Sequence, residues 1–317
     1  MDLVYLFPGQ GSQKVGMVDS FLEFHPKQTH ALFEEANERC GTDLLRLSHQ
    51  GPEDELNLTA NAQPAILTMS VLIQRLLSQE APSLGPRVVA GHSLGEYSAL
   101  VCAGSLSFVD AVALVRKRGE IMQRSVPVGI GTMVALIGLP LVKIENLVKE
   151  LSREGIIEVA NYNSSEQTVL SLQKTLLEKT IERAKSLGAR KVVELRVSVP
   201  FHSSFMRDAA TEFKELLIQT TFRKPSVRYM SNVTADDLDD AENIRFLLSR
   251  QMVSPVRWKD IITRFVQEGY NHYVEIGPGS VLSRMLQREY DGVSVSSIDS
   301  EKSLHQFVKE VEFHDQL

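Results

Sequence analysis

Arg87-Val88-Val89-Ala90-Gly91-His92-Ser93-Leu94-Gly95-Glu96-Tyr97-Ser98-Ala99 is the stretch on which the reading of this chain turns. Arg87 to Ala90 predicts a short buried strand, Glu96 to Ala103 favours helix, and Gly91-x-Ser93-x-Gly95 fills the turn between them. A strand that runs straight into a helix needs glycines beside the turn, because only a residue without Cβ lets the two backbones come so close. The serine at the apex then has its hydroxyl exposed at the start of a helix, where the local field favours negative charge. Strand, sharp turn and helix, in that order, predict an α/β fold with Ser93 as its nucleophile.

Working outward, Leu3 to Phe7 is an apolar run closed by Pro8-Gly9-Gln10-Gly11-Ser12-Gln13, a buried strand entering a tight loop. Helical spacing follows over residues 19 to 48, Pro64 to Leu77 and Val109 to Ser125, and Pro127-Val128-Gly129-Ile130-Gly131 makes a flexible joint. Beyond the joint the signals run strand (Met133 to Ile137), helix (Val142 to Leu151), strand (Ile156 to Ala160), strand (Thr168 to Leu172), helix (Thr175 to Leu187) and strand (Lys191 to Val197). That βαββαβ order predicts a smaller ferredoxin-like domain at 130–197, inserted into a large domain formed by 1–129 and 198–317. The α/β alternation then resumes, with strands near Val227 to Met230 and Tyr273 to Ile276 and helices near 242–252, 258–268 and 280–289. Lys302 to Phe313 reads as an amphipathic surface helix.

A formal charge of −6 over 317 residues argues against a general nucleic-acid or membrane-surface binder, so neither partner is expected. No apolar run reaches the roughly 18 residues of a membrane span, and Met1-Asp2-Leu3 puts no basic region before a hydrophobic one. The expectation is a cytosolic monomer. Cys40 and Cys102 have neither disulfide nor metal-ligand spacing, so no bridge and no metal are expected. Gly9-Gln10-Gly11 is no nucleotide loop, since a dinucleotide fingerprint needs glycine at Lys14 and a P-loop needs lysine at Met17.

A serine of ordinary acidity needs a base, and histidine is the usual one. His305 and His314 fall in a charged terminal helix, His25, His30 and His49 in polar segments, and His272 at the start of a strand. His92 adjoins Ser93, but neighbouring side chains on a sharp turn point apart, which places it beneath the elbow. His202, in Val197-Ser198-Val199-Pro200-Phe201-His202-Ser203, stands just past a strand end, where α/β sheets gather their catalytic groups. The oxyanion needs backbone N–H donors: Leu94 supplies one by elbow geometry, and the glycine-flanked Gln10 at the end of the first strand supplies a second.

With these residues in place, the chain resembles the malonyl-CoA:acyl-carrier-protein transacylase family. The resemblance is carried by Phe7-Pro8-Gly9-Gln10-Gly11-Ser12-Gln13, Gln63-Pro64, Gly91-His92-Ser93-Leu94-Gly95-Glu96-Tyr97-Ser98-Ala99, Arg118-Gly119, Val199-Pro200-Phe201-His202-Ser203, Arg250-Gln251 with Pro255-Val256-Arg257-Trp258, and Glu275-Ile276-Gly277-Pro278-Gly279. It implies a large α/β-hydrolase-like domain with a mainly parallel sheet plus the ferredoxin-like insert. It implies Ser93 as nucleophile, His202 as base, Gln10 and Leu94 as oxyanion donors, and Gln251 orienting the imidazole through its main-chain carbonyl. The residues alone do not choose among Arg116, Lys117, Arg118 and Arg124; the resemblance selects Arg118 to bind the substrate carboxylate, with Gln63 and Phe201 in the pocket.

The implied reaction is ping-pong transfer of malonyl from malonyl-CoA, as substrate, to the phosphopantetheine thiol of an acyl carrier protein, with no bound cofactor. Arg183, Lys185, Arg190 and Lys191 form a local basic patch for such an acidic partner. Family members often carry glycine before Gln167 and where this chain has Leu172. A thioester hydrolase would use the same serine and histidine but release free malonate, and a silent docking module would not react with a fluorophosphonate.

Overall fold

The computed structural model describes residues 2–127, 129–195 and 199–314. In chain order the elements are β1 (Leu3–Phe7), α1 (Asp19–Phe24), α2 (Pro26–Cys40), α3 (Leu44–Gln50), α4 (Glu53–Asn57), α5 (Thr59–Glu80), β2 (Pro86–Gly91), α6 (Gly95–Cys102) and α7 (Phe108–Ser125). There follow β3 (Gly131–Ile137), α8 (Leu141–Leu151), β4 (Ile157–Tyr162), β5 (Gln167–Gln173), α9 (Leu177–Ser186) and β6 (Lys191–Glu194). The chain closes with α10 (Arg207–Gln219), β7 (Arg228–Tyr229), α11 (Ala241–Gln251), α12 (Trp258–Gln267), β8 (His272–Ile276), α13 (Val281–Glu289), β9 (Ser294–Ile298) and α14 (Glu301–His314).

The larger sheet has the order β7-β2-β1-β8-β9, and its strand pairs are parallel. β1 is central, and the alternation of its side chains shows why every position is apolar. Leu3, Tyr5 and Phe7 enter one hydrophobic core while Val4 and Leu6 enter another on the opposite face. A parallel sheet covered by helices on both faces needs such an unbroken apolar run. The smaller sheet is antiparallel, with the order β4-β5-β3-β6, the strand order of the expected ferredoxin-like unit. Val134 and Leu136 pack toward its own helices, whereas Met133 and Ala135 join the core of the larger sheet. One face of the small sheet is thus committed to the large one.

The turn after β2 is as tight as its glycines predict. A Cβ on Gly91 would lie 1.9 Å from the carbonyl carbon and oxygen of Gly95, and one on Gly95 would lie 2.0 Å from the carbonyl oxygen of Phe7. The elbow is therefore pressed directly onto the C-terminal end of β1.

α5 starts at Thr59 and contains Pro64 rather than beginning there. The region expected as helix over 19–48 is broken into α1, α2 and α3, with Gly41 at φ +60° ending α2. α4, α10 and β9 have no counterpart among the sequence expectations. β6 ends at Glu194; the rest of its expected span, from Arg196, and the 197/198 boundary lie outside the described residues, as does Val128 of the joint. α14 is amphipathic as expected, burying Leu304, Phe307, Val308 and Val311 while Lys302, His305, Gln306, Lys309 and Glu310 are exposed.

Candidate active site

Ser93 tops the β2–α6 turn at φ +53°, and His202 lies in the loop before α10 at φ +54°. With Ala235 they are the non-glycine residues at positive φ among those described. Such backbone is costly for L-residues and persists only where its surroundings enforce it. The result is contact between residues far apart in sequence: Ser93 Oγ lies 2.8 Å from His202 Nε2.

The other imidazole nitrogen, Nδ1, lies 2.9 Å from the main-chain oxygen of Gln251. A carbonyl can only accept, so Nδ1 carries the hydrogen and Nε2 turns its lone pair to the serine hydroxyl. Burial, reinforced by the positive charge of Arg118, holds His202 down to about 3, so the ring is neutral.

Arg118 projects from α7 and is 1% exposed. One terminal nitrogen donates to Gln63 Oε1 at 2.8 Å; the other donates to Gln251 Oε1 at 2.8 Å and reaches 3.4 Å from Ser93 Oγ. Its guanidinium lies 5.6 Å from the centre of the Tyr97 ring. Burial lowers its pKa, yet arginine starts so high that it stays charged. Among the described residues it makes no ion pair with a carboxylate. Its neighbours on α7 are different: Arg116 and Lys117 pair with Glu120, and Arg124 pairs with Glu212.

Ser93, His202 and Arg118 line one cavity of about 160 Å³, together with Gln10, Leu94, Phe201, Met122 and Met133. Gln63 stands behind Arg118, and Gln10 is tied by its side-chain amide to Thr59 Oγ1 at 3.2 Å. A larger open groove, about 670 Å³, runs between the β4–β5 turn and α13 but is lined by no histidine. The serine–histidine pair, not the volume, locates the chemistry.

The His92 ring packs edge-on to the buried Trp258 with centroids 5.5 Å apart, and its Nε2 meets Asn163 Oδ1 at 2.9 Å. The sharp turn separates it from Ser93, toward the small sheet. Leu172 belongs to the core beneath the small sheet's helices, and so faces away from the cavity. The basic patch is partly neutralised, because Arg183 pairs with Glu150 and Arg190 with Glu166.

Sequence reasoning did not identify Glu96, Tyr229, Asn163 and Asn232. Glu96 is 1% exposed and accepts hydrogen bonds from Tyr229 Oη, the Asn232 amide and Gln251 Nε2. Burial pushes its carboxyl up to about 7 against the pull of those donors and of Arg118. The available signal was a carboxylate inside a helix whose other residues from Gly95 to Leu100 are all buried. Among the described residues, the group with donor atoms close enough for a cation is His25, Glu80 and Glu301. None of these lines the catalytic cavity, and His25 and Glu301 already bond each other at 2.7 Å.

Comparison with known proteins places the chain in a family. Residues 4–313 match the family model described as the acyl transferase domain. A malonyl CoA-acyl carrier protein transacylase of Bacillus subtilis (strain 168) is 42% identical over 287 residues, 90% of each chain. One of Escherichia coli (strain K12) is 39% identical over 300 residues, 95% of this chain and 96% of its own. A solved structure of a type II PKS acyl-carrier protein in complex with its malonyl-transacylase superposes with a TM-score of 0.94 at 38% identity, covering 98% of this chain and 100% of the other. The chain therefore belongs to the acyl transferase domain family, among the malonyl CoA-acyl carrier protein transacylases.

Proposed function

We propose that the protein transfers a malonyl group from malonyl-CoA to the pantetheine thiol of an acyl carrier protein, through a malonyl ester on Ser93. The observation that carries this reading is the buried Arg118, which makes no ion pair with a carboxylate among the described residues and lies 3.4 Å from the serine oxygen that bonds His202. A buried cation is costly unless paired. A short acyl group ending in a carboxylate would supply that partner from within the cavity, while an acetyl group would leave the guanidinium unpaired.

Ser93 Oγ attacks the thioester carbonyl as His202 Nε2 takes its proton. The tetrahedral oxyanion faces the backbone N–H groups of Leu94 and Gln10. As it collapses, the carbon–sulfur bond breaks and the imidazolium returns the proton to the departing CoA sulfur. A carrier-protein pantetheine thiol then attacks the malonyl ester, giving its proton to His202, which passes it to Ser93 Oγ as the ester bond breaks. The Gln251 carbonyl holds the imidazole in its productive tautomer throughout, in place of an acidic residue. No resident cofactor takes part. Phe201 and Met122 narrow the pocket against branched groups, and the division into 1–129 with 198–317 and an insert of 130–197 places the cavity where the two units meet.

The test is a loading assay with malonyl- and acetyl-CoA. Arg118→Ala should lose about 2–5 kcal/mol of malonyl binding, the typical cost of truncating one member of a buried charged pair. A variant that keeps the wild-type preference for malonyl over acetyl would show that the carboxylate is held elsewhere.

A further inference from the structure

The elbow at Ser93 is braced from behind by residues with no access to substrate. Its amide donates to Asn232 Oδ1 at 2.7 Å, and its carbonyl accepts from Gln251 Nε2 at 2.9 Å. Asn232 also donates its side-chain amide to the Gly91 carbonyl at 2.7 Å, closing the turn from the strand side. Both braces converge on one carboxylate: Glu96 Oε1 accepts from the Asn232 main chain and from Tyr229, and Glu96 Oε2 accepts from Gln251 Nε2.

Gln251 is the joint between this brace and the reacting groups. Its side-chain amide has two unlike ends, so its orientation is a matter of hydrogen-bond polarity. Arg118 can only donate, and the Ser93 carbonyl and the ionised Glu96 carboxylate can only accept. Together they oblige the amide oxygen to face Arg118 and the amide nitrogen to face Glu96 and the Ser93 carbonyl. The same residue's main-chain oxygen holds His202 Nδ1.

We propose that Glu96 is a positioning residue that sets the polarity of the Gln251 side chain, and through it fixes both the Ser93 backbone and the direction in which Arg118 presents its guanidinium. Glu96 does not touch the acyl group, and its effect on specificity rests on the reading of Arg118 as the carboxylate anchor. The consequence is specific to charge type rather than to volume. Glu96→Gln has nearly the same shape. Its amide oxygen can still receive the Asn232 and Tyr229 hydrogens, but its NH2 then confronts the Gln251 NH2. Rotation of Gln251 relieves that clash and turns a donor toward Arg118 and an acceptor toward the Ser93 carbonyl, so the mismatch is moved rather than removed.

The experiment compares wild type, E96Q, Q251E and the exchanged pair E96Q/Q251E, reading kcat and KM with malonyl- and acetyl-CoA alongside thermal melting. E96Q should lower the malonyl-to-acetyl preference roughly 10- to 100-fold, the worth of a hydrogen bond to a charged group. The loss should appear mainly in KM for malonyl-CoA. Q251E should also be impaired, because two carboxylates then face each other. The exchanged pair again places a donor against an acceptor at the 96–251 contact, so it should melt higher than Q251E, but it sets a carboxylate on Arg118 and an acceptor against the Ser93 carbonyl, so its malonyl preference should stay below wild type. E96Q with wild-type preference, or an exchanged pair that melts no higher than Q251E, would overturn the proposal. Should E96Q fold poorly, the ranking of the exchanged pair against Q251E decides the matter. Arg118→Ala in the same assay separates the two claims: if it retains malonyl preference, the anchor reading fails; if it loses preference while E96Q does not, only the role of Glu96 fails.

Discussion

At the scale of single residues, the contact between Ser93 and His202 joins two unfavourable backbone conformations. Ser93 and His202 are both held at positive φ, at a cost of roughly 1–3 kcal/mol each, by partners on other elements. His202 is held down to about 3 by burial and by Arg118, so its protonation should not limit reaction near the ordinary histidine value of about 6.5. Labelling of Ser93 by a fluorophosphonate should therefore stay level as pH falls through 6.5 and decline only well below it; a half-maximum near 6.5 would show an ordinary, solvated imidazole. The unfolded chain takes up a proton below about 6.5 that the native site refuses, so His202 weakens the fold as pH drops through that value.

Ser93, Leu94, Gln10 and His202, which the structure brings to one cavity, could be picked out because each expected role demands a residue type at a kind of place that local sequence marks. Arg118, at the same cavity, was selected only through resemblance, although helical phase marks it as well. Ala111, Leu114, Val115, Arg118 and Met122 all lie on the buried stripe of α7, so the arginine stands where the spacing calls for an apolar side chain. Gln251 could not be read locally, because its two contributions are a main-chain carbonyl and an amide whose partners are remote in sequence. Glu96 was hidden for the same reason.

At the scale of elements, the elbow and the end of β1 form one interlocked unit. Gly95→Ala would put a methyl 2.0 Å from the Phe7 carbonyl oxygen, which only a backbone shift can relieve. It should cost about 1–3 kcal/mol, as overpacking does, and lower fluorophosphonate labelling of Ser93 together with the melting temperature. Unchanged melting would mean that the turn is looser than its contacts indicate. Trp258 starts α12, is 1% exposed and braces His92; Trp258→Ala should cost about 3–5 kcal/mol by urea denaturation.

Most elements carried their own signal, and two of the overlooked ones show what was lacking. β9, Ser294-Val295-Ser296-Ser297-Ile298, is an edge strand of mainly half-buried residues whose pairing with β8 comes from the sheet rather than from its own propensity. α10 buries Ala209, Ala210, Phe213 and Leu217, a helical stripe that opens on two small alanines immediately after a loop rich in turn residues.

At the scale of the whole molecule, the cavity exists because two sheets are held together at fixed points. The Tyr162 amide donates to the Val256 carbonyl and the Val256 amide to the Ala160 carbonyl, each at 2.9 Å, joining the edge of the small sheet to the segment between α11 and α12. His92 and Asn163 make a side-chain link across the same boundary. Asn163→Ala should cost about 1 kcal/mol, the net worth of a typical hydrogen bond, in chemical denaturation. It should leave Ser93 labelling largely intact, since no reacting group is lost. A large fall in labelling would give Asn163 a more direct part in the site.

If position 93 carries the acyl group between donor and acceptor, peptide mapping by mass spectrometry after brief incubation with malonyl-CoA and no carrier protein tests it most directly. One malonyl adduct is expected on the peptide containing Ser93, absent in Ser93→Ala and discharged when carrier protein is added. An adduct on another residue, or one that persists in Ser93→Ala, would contradict it.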